Sequence, residues 1–150
     1  MRNIVFFWLL FLSVTIFAQT LTVQPTNQQE ESTIDSLHVT VYLWRDFQPI
    51  SPPKGKPLRA KIEITADDPA LLTGLKIEKV QLIHQADTVE ITAADIQPLL
   101  ETFPNGLRFV WRNGPYWPPN STVDVVVFLQ PKQGSPIVLN APKQKIHATF

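Results

Sequence analysis

The sequence predicts an all-β fold, an antiparallel β-sandwich of about seven to eight strands. Three observations carry that expectation. Apolar and polar residues alternate with period two through most of the chain beyond residue 36, as in strands with one buried face and one wet face. All five glycines (Gly55, Gly74, Gly106, Gly114 and Gly134) fall at breaks between the alternating runs, and the prolines are placed outside the strand cores as well. Turn-forming stretches such as TFPNG, RNGP and PKQGSP recur at short intervals.

Each element follows from its own pattern. In LHVTVYLW, Leu37, Val39, Val41 and Leu43 share one face, and His38, Thr40, Tyr42 and Trp44 share the other. LRAKIEIT sets Leu58, Ala60, Ile62 and Ile64 against Arg59, Lys61, Glu63 and Thr65, a half-buried antiparallel strand. In LKIEKVQLIH the apolar phase shifts between Ile77 and Val80, which predicts a bulge near Glu78–Lys79. TVEIT is a short strand, and AADIQPLL is a brief helix with Asp95 in its first turn and Pro98 limiting its length. LRFVW alternates again. VDVVVFL is β-branched and almost wholly apolar, which fits a central strand covered on both faces, and PIVLN and QKIHATF close the chain. Strand count and spacing together suit an immunoglobulin- or fibronectin-III-like sandwich.

The chain divides into three stretches. Residues 1–18 read as a secretory signal: Arg2 supplies a positive start, Ile4–Phe17 an apolar run, and Ala18 the small residue before the cut. The run falls short of the ~18 to 20 residues of a membrane anchor, so no stable span is expected after cleavage. Residues 19–35 form a flexible polar leader, and residues 36–150 a single domain. The chain has no cysteine, so neither a disulfide nor a lipoprotein anchor is possible. Export without cysteine points to a bacterial protein, secreted or periplasmic. An outer-membrane barrel fits poorly, because its strands run ~9 to 11 residues with an unbroken apolar outer band.

Charge excludes more than it reveals. Loss of Arg2 with the signal leaves 12 basic residues against 13 acidic ones, with no block of either sign. Nothing in that distribution neutralises a row of phosphates, so nucleic acid is not an expected partner.

The sequence offers no enzyme signature. It has no Gly-rich phosphate loop, no G-x-S-x-G and no cysteine nucleophile, and no catalytic residue, cofactor or metal is expected. His38, His84 and His147 are widely separated and lack paired metal-ligand spacing. Asp67-Asp68 precedes Pro69, where an Asp cap on a turn explains the pair better than a calcium loop. Glu90, Asp95 and Glu101 show no spacing that fixes a carboxylate pair across a cleft. Asn120-Ser121-Thr122 matches an N-glycosylation sequon but reads as a turn.

The aromatics remain. Tyr42 and Trp44 share the polar side of the first strand, and Tyr116 and Trp117 lie in WRNGPYWPP. Aromatic faces serve sugar rings and protein anchors alike, so these four are the candidate ligand-binding residues. The stretch WRDFQPISPPKGKPLRA joins the first two strands, its path set by Pro49, Pro52, Pro53 and Pro57. It reads as a structural corner, with Trp44 and Phe47 turned inward and Arg45 paired to Asp46 or another acid.

The blocks YLWRDFQPISPPKGKPL, GPYWPPNSTVDVVVFL and LNAPKQKI together resemble a group of small, functionally uncharacterised exported bacterial proteins predicted as immunoglobulin- or fibronectin-III-like sandwiches. That resemblance implies one domain and a bacterial source, and no ligand. The expected function is a non-enzymatic binding or accessory module at the cell envelope, its partner an envelope protein. A carbohydrate-binding module using Tyr42, Trp44, Tyr116 and Trp117 is the alternative, and an enzyme with a dispersed site is the third reading.

Overall fold

The computed structural model describes residues 36–150, so the signal and leader expected at 1–35 lie outside the described residues. Eight strands form in order: β1 (Leu37–Asp46), β2 (Arg59–Ala66), β3 (Lys76–His84), β4 (Asp87–Thr92), β5 (Glu101–Phe103), β6 (Gly106–Trp111), β7 (Thr122–Gln130) and β8 (Ile137–Thr149). They pair as β4-β3-β7-β8-β1-β2-β6-β5, a curled mixed sheet. Every neighbouring pair is antiparallel except β1 with β8, which is parallel over Leu43–Asp46 and Ile146–Thr149. The fold is all-β, but the expectation of purely antiparallel pairing gives way at that junction.

β8 makes the parallel contact possible by serving two neighbours in succession. Ile137–Lys145 pairs with β7, and Ile146–Thr149 then pairs with β1. Within the first of these stretches Pro142 and Lys143 stand opposite the single residue Asp124, a β-bulge with Lys143 at φ 53°. The Lys143 N–H donates to Asp124 Oδ1 at 2.7 Å, which pins the bulge. Pro142 thus sits inside a strand, contrary to expectation. It is tolerated because a bulge releases its position from the ladder.

The inward faces are those the alternation marks. Leu37, Val39, Val41 and Leu43 of β1, and Ala60, Ile62 and Ile64 of β2, join one cluster with Val80 and Leu82 of β3 and Val123, Val125, Val127 and Leu129 of β7. The register shift between Ile77 and Lys79 lies where the change of phase puts it, and it keeps both Ile77 and Val80 buried. β7 departs from its expectation. Val126 and Phe128 are half-buried and Asp124 is exposed, so its second face is open, and Lys79 Nζ lies 5.0 Å over the Phe128 ring.

The short helix α1 (Ala93–Ile96) begins in a capping box, with Thr92 and Asp95 each bonded to the other's backbone N–H. A 3-10 turn containing Pro98 follows it, and Ile96 is buried in the core. Strand directions place the connections 47–58, 85–86 and 112–121, together with Phe150, at one end of the molecule. Residues 67–75, 104–105 and 131–136 lie at the other end. No helix among the described residues is long and apolar enough to cross a membrane.

Candidate functional site

The end that gathers 47–58, 112–121 and Phe150 holds the candidate residues, and Arg45 organises it. Arg45 continues the inward phase of β1 and is only 5% exposed. Its Nε donates to Lys56 O at 3.0 Å, Nη2 to Lys54 O, and Nη1 to Trp117 O at 3.3 Å and Tyr116 O at 3.5 Å. One guanidinium therefore ties the β1–β2 loop to the β6–β7 loop through main-chain carbonyls. Its rigid fork of donors suits that task better than a lysine ammonium. The Phe47 and Tyr116 rings lie 4.9 and 5.1 Å from its central carbon. Burial lowers the Arg45 pKa from its ordinary value, the cost of holding a cation under a lid.

No acid completes this arrangement among the described residues. Arg45 and Asp46 are consecutive on a strand, so their side chains leave on opposite faces and cannot pair. Asp46 instead accepts from the Gln48 N–H at 3.0 Å and lies 3.3 Å from Lys56 Nζ. The Gln48 N–H is the main cause that holds its carboxyl below the usual range, with Lys56 and Arg59 adding to it.

The corner is tightly built below and bare above. Phe47 N–H donates to Thr149 O and Lys56 N–H to Asp46 O, both at 2.8 Å, which closes the base of the loop. Gly55 holds φ +76°, and a Cβ there would sit 2.5 Å from the Phe47 ring, so both the conformation and the close approach require glycine. Phe47 is half-buried with Phe150 5.9 Å away, ring to ring. Above that base Ile50 is 87% exposed, Phe150 88% and Tyr116 47%, with Lys54 Nζ 4.2 Å over the Tyr116 ring.

The four aromatic candidates do not form one surface. Tyr42 and Trp44 stand on the outer side of β1 at 5.4 Å, and His147 of β8 stacks on Tyr42 at 5.0 Å and 15°. Tyr116 belongs with Arg45 and Lys54. Trp117 is 7% exposed and packs on His84 at 5.0 Å. A sugar platform needs open ring faces, and the stacked His147 already occupies part of the Tyr42 ring. The sequence reading missed Arg45, Ile50 and His147. Arg45 was detectable, because period two puts it in phase with Leu37 to Leu43.

Other polar candidates serve the fold. Asp68 caps the 3-10 turn at Pro69–Leu72, its Oδ1 accepting from Ala70 N–H at 2.9 Å, and Asp67 meets His38 at 3.1 Å. Glu90 accepts from Lys79 and Gln81, the lysine contact first in holding its pKa down, and Glu101 accepts from Arg108 at 2.8 Å. Among the described residues no three His, Asp or Glu side chains converge to hold a metal. No family model, curated protein or solved structure matches this chain.

Proposed function

We propose that the chain is a non-enzymatic docking module of the bacterial envelope, exported by residues 1–18 and engaging another protein through its loop end. The observation that carries this reading is the near-complete exposure of Ile50 and Phe150 at the end that also exposes Tyr116, above a base locked by Arg45. Protruding apolar and aromatic side chains on a rigid support are what an interface uses as anchors. Pro49, Pro52 and Pro53 reduce the conformational entropy lost when Ile50 enters a partner's recess. A photo-crosslinker placed at position 50, in cells making the protein, should capture one envelope protein. The same crosslinker at Val138, toward the opposite end, should not. Equal capture from both positions, or none from position 50, sinks the reading.

The architecture belongs to the same proposal. An immunoglobulin- or fibronectin-III-like sandwich would lay β4-β3-β7-β8 against β1-β2-β6-β5, and the single core cluster drawn from both halves supports it. Methyl NOEs between Ile62 or Ile64 of β2 and Val125 or Val127 of β7 are expected. Their absence would leave an open curled sheet.

A further inference from the structure

The three non-glycine residues with positive φ among those described, Gln85 (53°), Asn120 (67°) and Lys143 (53°), come from three separate segments. All three line one open groove of about 600 Å³, together with His84, Ser121 and Asp124. Left-handed backbone is uncommon outside glycine, and such residues gather where a surface has to keep a fixed shape. Here the β3–β4 turn supplies Gln85, the end of the β6–β7 loop Asn120, and the β8 bulge Lys143. The loop end is itself fixed, with Asn120 N–H donating to Ile146 O at 2.8 Å and Ile146 N–H to Ser121 O at 3.0 Å.

Three side chains of this wall, those of His84, Ser121 and Asp124, are left with acceptor atoms once their bonds within the protein are made. His84 is 7% exposed, and its Nδ1 lies 3.0 Å from Thr122 O. A carbonyl only accepts, so Nδ1 carries a hydrogen, and in the neutral ring Nε2 is left as an acceptor. Nε2 has no hydrogen-bond partner among the described residues. Ser121 gives its hydroxyl hydrogen to Pro118 O at 2.6 Å and retains lone pairs. Asp124 uses Oδ1 on the Lys143 N–H, which leaves Oδ2 to accept.

We propose that this groove binds a neutral polyhydroxyl ligand of saccharide size, whose hydroxyls donate to His84 Nε2, Ser121 Oγ and Asp124 Oδ2. A row of committed acceptors selects a ligand rich in donors. Lys143 lines the groove as well and its positive charge disfavours a polyamine, while Asn120 and Gln85, also in the lining, carry amides able to donate to the remaining hydroxyl lone pairs. The groove shares this end of the molecule with Ile50 but is lined by different residues, and either role can fail without the other.

The test uses residues 19–150 on an array of bacterial and plant oligosaccharides, followed by amide NMR titration with the best hit and, in parallel, with spermidine. Saccharide-induced shifts are expected at residues 83–85, 120–124 and 142–144. Asp124→Asn still offers Oδ1 to the Lys143 N–H but turns the outer acceptor into a donor. It should weaken binding at least tenfold with an unchanged thermal melt, and Ser121→Ala should weaken it less. Ile50→Asp should leave it unchanged. No saccharide on the array, shifts centred on Tyr42 and Trp44, or a response to spermidine alone would each overturn the assignment.

Discussion

Two connections of like composition lie side by side at one end of this molecule and behave in opposite ways. Residues 47–58 and 112–121 are both proline-rich and both carry aromatic rings. The second is stitched along its length. Leu58 N–H donates to Pro115 O, Gly114 N–H to Leu58 O, and Asn120 N–H to Ile146 O, and Trp117 is driven into the core. The first shares the two bonds at Leu58 and is otherwise held at its base by Phe47 and Lys56, while Ser51 N–H to Gln48 O and Gly55 N–H to Pro52 O are turns within itself. Its tip carries Ile50 into solvent. Where the backbone amides find partners decides which apolar side chain is buried, and composition does not.

Substitutions break that comparison in graded steps. Trp117→Ala removes a buried indole and should cost about 3 to 5 kcal/mol in urea unfolding. A loss under about 1 kcal/mol would mean that the second loop is no better anchored than the first. Arg45→Met deletes the shared tie and orphans the carbonyls of Lys54, Lys56, Tyr116 and Trp117, a loss of about 2 to 3 kcal/mol. Faster hydrogen exchange at the Leu58 and Gly114 amides should accompany it, and Arg45→Lys should recover less than half.

Acid separates the two loops without mutation. The Asp46 carboxyl titrates lower in the fold than in the unfolded chain, chiefly because the Gln48 N–H favours its charged form. Its contribution is complete above the ordinary carboxylate pKa and is lost as pH falls through the lower folded value. The 47–58 loop should therefore loosen below about pH 4 while Asn120 and Ile146 stay protected. Asp46→Asn should remove that pH response in an NMR titration of the Gln48 amide. The smallest effect belongs to Ile50→Asp, within about 0.5 kcal/mol of wild type in thermal or urea unfolding.

Much of the fold was legible because period two is a strong constraint. The inward faces of β1 and β2 and the slip between Ile77 and Lys79 all follow from alternation. The capped helix followed from Asp95 and Pro98. β8 was less legible, since Pro142 splits it into two patterns that only the Asp124 bulge rejoins. The site was least legible. Tyr42, Trp44, Tyr116 and Trp117 look alike in sequence, and their exposure depends on long-range hydrogen bonds that no local pattern encodes.

The divided pairing of β8 also sets an order of events. The join between the two halves of the sheet runs through residues 146–149 meeting 43–46, a hundred positions away. Until β8 has emerged, β1 lacks one neighbour and β7 another, and the loop to be closed is nearly the length of the domain. A chain that folds from its amino end would thus stay open until the closing strand arrives, which makes β8 the latch.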